Sequence, residues 1–209
     1  MGRYVGPACR LCRREGIKLF LKGDRCRMAK CAVEQGRPSP GMHVARMSNK
    51  KSEYGTQLRE KQRLRRFYGL QEGQFRLFFE RALRRRGVTG EQLLQMLEMR
   101  LDNLVYRLGL ASSHRAARQF VLHGHVTVNG RRASVPSMEL KAGDRIAVKP
   151  RESAKTHAKG QMEASASREL AAWLTLDREN LQGQVLRVPT RLEINPFVNE
   201  QLIVELYSK

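Results

Sequence analysis

All four cysteines of the chain lie within its first 31 residues, and this placement constrains how that end can fold. They form two short-spaced pairs, Cys9 with Cys12 and Cys26 with Cys31. Each pair can chelate a metal ion from one turn, and the 13 residues between the pairs can bring them together around a tetrahedral site. The spacing therefore predicts a zinc site with these four thiolates as ligands. Because four protein ligands close the coordination sphere, we expect the metal to hold the fold rather than to catalyse.

An iron–sulfur cluster also takes four cysteine ligands, so it stays open as an alternative to zinc. Disulfide bonds would need an oxidising compartment. The sequence starts without the apolar core of a signal peptide, and none of its stretches approaches the ~18 consecutive apolar residues of a membrane span. We therefore expect a cytoplasmic protein with reduced thiols and no membrane segment.

Basic residues outnumber acidic residues strongly, with 40 Lys and Arg against 20 Asp and Glu and a net charge of +20. The excess is concentrated in residues 1–87, which hold 23 basic and seven acidic residues, whereas residues 151–209 hold eight of each. A surface this basic predicts a polyanionic partner. An anionic membrane is usually met by one amphipathic helix, while here the charges accompany several folded-looking segments, which favours nucleic acid.

A basic stripe is predicted on a helix from about Ser52 to Tyr68, where cations recur at helical spacing. The stripe consists of Arg59, Lys61, Arg63, Arg65 and Arg66. Glu60 is the one acid nearby in sequence, so the stripe favours phosphate contact. The basic residues around the cysteines are expected to contact phosphates as well: Arg10, Arg13, Arg14 and Lys22. Two further helices are predicted, from about Glu72 to Arg86 and, as one long amphipathic helix, from Thr89 to Leu108.

Beyond Gly109 the sequence predicts short strands as well as a helix. A helix from about Ser113 to His123 is followed by short strands at Val126–Val128 and Arg131–Ala133, and the Asn129-Gly130 between them is typical of a type I′ hairpin. With a further strand at Arg145–Val148, these elements predict two helices and a small, curled antiparallel sheet. The basic residues expected to converge there are Arg115, Arg118, Arg131 and Arg132. His123, at the helix-to-strand turn, is expected to contact phosphate beside them.

Several motifs carry a resemblance to a known family. The strings RLDNLVYRLG, SHRAARQ and HGHVTVNG, which begin at Arg100, Ser113 and His123, resemble the small RNA-binding domain named after ribosomal protein four. The cysteine segment, LREKQRLRR from Leu58 and NEQLIVELY from Asn199 extend the likeness to nearly the whole chain. The sequence is thereby identified as a member of the family of bacterial small-subunit ribosomal protein four, in its four-cysteine zinc-knot form.

The resemblance implies an α+β fold, with a mostly helical first domain that carries the N-terminal zinc knot and into which the small RNA-binding domain is inserted. The expected boundaries are 1–44 for the zinc-binding extension, 45–97 for the helical domain, completed by 180–209, and 98–165 for the inserted domain. Residues 166–209 are expected to form a connector and a C-terminal segment that packs back on the helical domain. The match is weakest at about 151–168, interpreted as a marginal helix or a mobile connector.

The resemblance also implies a structural constituent of the small (30S) ribosomal subunit rather than an enzyme. Such a protein is expected to bind 16S ribosomal RNA first at a multi-helix junction in the 5′ domain, to nucleate assembly of the body, and to act in translation in the cytoplasm. Its expected partners are ribosomal protein five and other small-subunit proteins, together with mRNA where it enters the subunit; a contribution to translational accuracy follows. No membrane and no small-molecule substrate are expected.

The residues suggest two rival functions. Arg100-Leu-Asp102 resembles the catalytic motif of pseudouridine synthases, but on a leucine-striped helix Asp102 is expected simply to pair with a neighbouring cation. A zinc-dependent DNA-binding regulator would need a recognition helix after the cysteines, and the sequence offers no clear one.

Overall fold

The computed structural model describes residues 2–41, 52–165, 168–194 and 198–208, which divide into two compact units. The described part of the first unit is 2–41, 52–93 and 198–208, and that of the second is 94–165 and 168–194. The first unit is helical and the second joins helices to an antiparallel sheet, so the predicted α+β class is confirmed. No described helix is both long and apolar enough to cross a lipid bilayer.

Helices build the first unit. Its elements are α1 (Ala8–Glu15), a 3₁₀ helix (Gly23–Cys26), α2 (Glu53–Phe67), α3 (Glu72–Leu83), the start of α4 (Thr89–Glu98), and the C-terminal helix, numbered α8 (Glu200–Ser208). The Ser52 side chain accepts a hydrogen bond from the Gly55 N–H across 3.1 Å, which caps α2 where the sequence predicted it to start. The apolar face of α3 is buried, as its spacing predicted.

The C-terminal helix α8 packs on the other helices of the first unit. Tyr207 stacks on Phe79 with ring centroids 4.5 Å apart, and the side chain of Gln57 donates to Glu205 across 3.0 Å. Just before α8, the Asn199 N–H donates to Glu60 across 3.0 Å. These contacts tie α8 to α2 and α3.

The second unit is one sheet with helices packed on its apolar face. Its elements are α5 (Leu101–Arg107), α6 (His114–Leu122), β1 (Val126–Val128), β2 (Arg131–Ala133), β3 (Arg145–Val148), α7 (Glu152–Ala164), β4 (Leu174–Asp177) and β5 (Gln182–Val185). The strands run antiparallel in the order β2-β1-β3-β5-β4. Positive φ angles at Asn129 and Gly130 confirm the predicted type I′ hairpin. Phe120, Val126, Ile146 and Trp173 contribute to its buried core.

The long helix predicted from Thr89 to Leu108 is wrong, because the chain leaves helical geometry between α4 and α5. Arg100 is extended (φ −71°, ψ 139°) and forms an isolated β-bridge with Glu139. Its guanidinium is almost wholly buried beside Asp102. The leucine spacing continues across the break, so the apolar pattern alone could not reveal it.

The sheet is larger than predicted, since β4 and β5 were expected to lie in the connector and C-terminal segment. Gln184 of β5 pairs with Arg145 of β3, which places these strands in the second unit rather than packed back on the helical domain. The segment before them is helical over Glu152–Ala164: α7 buries Ala154 and Ala158 against the core of the second unit.

Candidate nucleic-acid interface and cysteine cluster

The four cysteines lie in two segments of the first unit, namely α1 and the 3₁₀ helix with the residues that follow it. Cys9 and Cys12 lie one turn apart on α1, Cys26 ends the 3₁₀ helix, and Cys31 follows it. All four are free thiols; Cys9 is half-buried and the others are buried. Cys12 packs into a small apolar cluster with Leu19 and other residues of this end.

The thiols lie close enough to influence one another. Burial raises the pKa of Cys12, an N–H of Leu19 opposes that rise, and the charges of Cys26, Cys9 and Cys31 add to it. Burial likewise raises the pKa of Cys26, whose sulfur accepts a hydrogen bond from the Lys22 N–H across 3.4 Å. A cation held among them would reverse the mutual repulsion, so the donor set suits zinc.

The ligand geometry itself is not formed. Among the described residues, no three Cys, His, Asp or Glu side chains stand in an arrangement that could hold a metal ion. The zinc site therefore stays a prediction, supported by the proximity of the thiols and by their spacing in the sequence.

Three arginines of the predicted stripe on α2 contact Glu15 of α1. The Arg59 Nη1 lies 3.0 Å from Glu15 Oε1, and the Arg66 Nη1 contacts the same oxygen. Arg63 donates to the backbone oxygen of Glu15 across 3.2 Å and also pairs with Glu60. The Glu15 side chain is wholly buried. Glu60 is the one acid near the stripe in sequence, and tertiary packing adds Glu15, which the sequence pattern could not show.

The other two stripe cations bind an acid of α3. The Lys61 Nζ lies 2.7 Å from Glu72 Oε1, and Arg65 lies 3.6 Å from its other carboxylate oxygen. Burial alone would raise the pKa of Glu72, but hydrogen bonds from Lys61 and Tyr207 outweigh it and lower the pKa. Lys61 and Arg65 thus link helices of the first unit as well as adding charge.

The basic residues around the cysteines remain largely exposed, and three arginines form a cleft. Arg10, Arg14 and Lys22 are exposed, while Arg13 donates to the Pro38 carbonyl across 3.1 Å. A cavity of about 390 Å³, here called the arginine cleft, is lined by Tyr4, Arg10, Leu11, Arg14, Pro40 and Arg66. Burial lowers the pKa of Arg66, Glu15 opposes this, and the charges of Arg59, Arg65 and Arg14 lower it further. Positive charge is thus concentrated around Arg66.

The basic residues predicted to converge in the second unit have different surroundings. The Arg118 Nη1 lies 3.2 Å from Asp102 Oδ2, while Arg131 and Arg132 are exposed on the edge strand β2. Adjacent strand residues point to opposite faces, so these two arginines cannot share one. Arg115 lies half-buried on α6. The convergence of Arg115, Arg118, Arg131 and Arg132 on RNA stays a prediction, and the ion pair of Arg118 with Asp102 is a tertiary contact that the sequence pattern did not contain.

Asp102 pairs with cations, as predicted from its place on the helix. Arg100 binds both of its oxygens, at 3.0 and 2.8 Å, and Arg118 adds the third contact. The Asn103 N–H donates to Asp102 as well, across 3.1 Å. A carboxylate held in this way is a structural anchor rather than an acid presented to a substrate.

One cluster that the sequence interpretation missed surrounds Phe120. His123 follows α6, His125 precedes β1 and His157 lies on α7, with the His125 and His157 ring centroids 5.0 and 5.7 Å from that of Phe120. The rings of His123 and His125 are 5.9 Å apart. The first two histidines are close in sequence, but nothing in the sequence indicates that α7 brings His157 to them.

Comparison with known proteins gives a consistent match. The model "Ribosomal protein S4/S9 N-terminal domain" matches residues 3–98, and the "S4 domain" model matches residues 99–146. The chain is 51% identical to "Small ribosomal subunit protein uS4" of Thermus thermophilus over 209 residues, covering all of both chains. It is 53% identical to the proteins of the same name from Acetivibrio thermocellus and Trichlorobacter lovleyi, again over the whole of each.

Proposed function

Because the chain belongs to the uS4 family of small ribosomal subunit proteins, we propose that it is a structural component of the small subunit that binds 16S ribosomal RNA. Its role is structural and not enzymatic, and its place of action is the cytoplasmic ribosome. The ion pairs of Asp102 agree with this role, since they hold this buried carboxylate between Arg100 and Arg118, as a structural anchor would be held.

The observation that carries this proposal is the arginine cleft. The buried acids of the first unit bind stripe cations, whereas Arg10 and Arg14 are exposed beside Arg66. Guanidinium forks match phosphate oxygens, and a folded support spares the ordering cost of a flexible basic tail. A-form RNA hides the base edges of its major groove, so such a surface reads the positions of backbones rather than a sequence.

We infer the position on the RNA and the partners of the protein from the family resemblance. We propose that the protein binds a multi-helix junction in the 5′ domain early, nucleates assembly of the 30S body, and contacts ribosomal protein five and mRNA where it enters the subunit. A contribution to translational accuracy follows from those contacts. Each unit carries exposed cations of its own, which supports binding to more than one RNA helix at a junction.

Zinc binding by Cys9, Cys12, Cys26 and Cys31 is proposed as part of the same function. Bound zinc would replace the thiol protons and cross-link α1 to the 3₁₀ helix and the segment after it. The N–H groups of Leu19 and Lys22 already donate to two of the sulfurs, which stabilises their thiolate forms. A linked N-terminal segment would hold Arg10 and Arg14 at the cleft.

Competition binding tests the proposed function. The full chain is equilibrated with a labelled 16S rRNA 5′-domain fragment, and unlabelled fragment or duplex DNA of equal length competes at the same salt concentration. We expect the RNA fragment to compete at least 100-fold more strongly than the DNA. Equal competition by the two polyanions would contradict RNA recognition and would restore the DNA-binding regulator.

A further inference from the structure

The three histidines around Phe120 form a largely exposed patch. None of the ion pairs described for the second unit involves them. His123 and His157 are exposed and His125 is half-buried. The ring centroids of His125 and His157 lie 5.0 and 5.7 Å from that of Phe120, and the His123 ring lies 5.9 Å from the His125 ring. The three imidazoles therefore belong to one surface although three strands and the start of α7 separate His125 from His157 along the chain.

Permanent cations border these imidazoles from the neighbouring elements. The Lys149 N–H, after β3, donates to the His125 carbonyl across 2.8 Å, and Arg151 immediately precedes α7. Arg132 of β2 lies over Gly124, where a Cβ atom would come within 2.4 Å of its Nε. The first turn of α7 also carries Glu152 and Lys155. The charges that border the patch are thus mainly positive.

We propose that this histidine patch, defined as His123, His125 and His157, binds RNA backbone phosphates with its imidazoles protonated. The proposal rests on the proposed function, from which it takes RNA as the polyanion. It adds a contact surface of the second unit whose strength depends on pH.

The physical reason is electrostatic coupling. In the free protein, burial lowers the pKa of His125, and the charges of His123, Arg151, His157 and Lys149 lower it further. A phosphate placed on the patch opposes that repulsion and favours the charged imidazoles. Binding therefore takes up protons, and by linkage the association constant rises as the pH falls, by up to about tenfold per pH unit for each proton taken up.

The test compares pH profiles of RNA binding by the full chain. Affinity for the 16S rRNA 5′-domain fragment is measured between pH 8.0 and 6.0 at fixed ionic strength. For the wild type we expect an increase of about tenfold or more towards pH 6.0. The double variant His125→Gln, His157→Gln is expected to bind within about threefold of wild type at pH 8.0 and to lose most of that increase.

Two controls separate the possible explanations. Arg131→Gln removes an exposed guanidinium of β2, so it should lower affinity equally at both pH values. The single variant His157→Gln, at an exposed position on α7, keeps the test valid if the double variant does not fold, and it should remove part of the increase. A pH profile unchanged in the histidine variants would overturn the proposal while the proposed function stands. Absence of RNA binding by the wild type at every pH would overturn both.

Discussion

The Arg59 Nη1 donates to Glu15 Oε1 across 3.0 Å, and this bond joins residues 44 positions apart in the chain. Arg66 binds the same carboxylate oxygen, and the carboxylate is wholly buried. One acid thereby holds two members of the basic stripe against α1. Two guanidiniums around one carboxylate leave net positive charge next to the arginine cleft.

Replacing Glu15 by Ala is expected to destabilise the first unit. The change leaves Arg59 and Arg66 partly buried without their shared carboxylate, which should cost about 2–3 kcal/mol of the free energy of unfolding, measured by urea denaturation. Glu34→Ala serves as the control, because Glu34 pairs with Lys18 at an exposed position and its loss should cost less than ~1 kcal/mol. Equal effects from the two substitutions would show that the Glu15 cluster is not a structural anchor.

The parts of the fold that sequence predicted well depend on neighbours in the chain. The capped helix after Ser52 and the hairpin at Asn129-Gly130 are specified by a few adjacent residues. Strands β4 and β5 are four residues each. Apolar and polar residues alternate in β4, but the run is too short to stand out in the sequence, and Gly183 interrupts β5.

The same distinction between local sequence patterns and tertiary contacts applies to the candidate site. The cysteine spacing and the density of cations were visible in the sequence. The Glu15 cluster, the pairing of Lys61 with Glu72 and the approach of His157 to Phe120 are tertiary contacts, which a local pattern does not contain.

Replacing Asp102 by Asn should damage stability without removing any catalysis. The buried guanidinium of Arg100 would lose its paired carboxylate, at an expected cost of about 3 kcal/mol in urea denaturation. Tritium release from 5-³H-uridine-labelled rRNA should stay at background for both wild type and variant. Uridine isomerisation by the wild type, lost in the variant, would revive the enzyme hypothesis.

Protein stability is expected to fall in mild acid because of His114. Burial, followed by the charge of Arg107, lowers the pKa of His114 to about 3, and its Nε2 lies 3.1 Å from Asn103 Oδ1. The unfolded chain takes up this proton below about pH 6.5 while the folded chain does not. The His114 contribution is therefore complete above pH 6.5 and decreases by up to ~1.4 kcal/mol per unit as the pH falls towards 3.

Urea denaturation at pH 7.0 and 5.0 checks the role of His114. The loss of stability between these values should be smaller in His114→Gln than in the wild type. The His157→Gln variant is the matched control, because its imidazole is exposed, and it should keep most of the wild-type loss. Identical losses in wild type and His114→Gln would show that another group causes the acid sensitivity.

Metal analysis tests the proposed cysteine site. Purified protein should contain about one zinc ion per chain by mass spectrometry, and Cys12→Ser should lower that content strongly. A chelator should reduce RNA affinity by releasing the support of Arg10 and Arg14. Absorbance near 400 nm with bound iron would indicate the iron–sulfur alternative, and full RNA affinity in metal-free protein would show that the thiols do not support the cleft.

The salt dependence of 16S rRNA binding tests most directly the central claim, that cations fixed on folded units bind the RNA backbone. If 6–10 phosphates are contacted, affinity should fall by roughly 10³–10⁵ between 50 and 200 mM salt, taking duplex DNA as the scale. Arg14→Gln should reduce the logarithmic slope by about one, whereas Arg76→Gln, an exposed cation of α3 paired with Glu80, should leave it unchanged. A slope near zero for the wild type would contradict the claim.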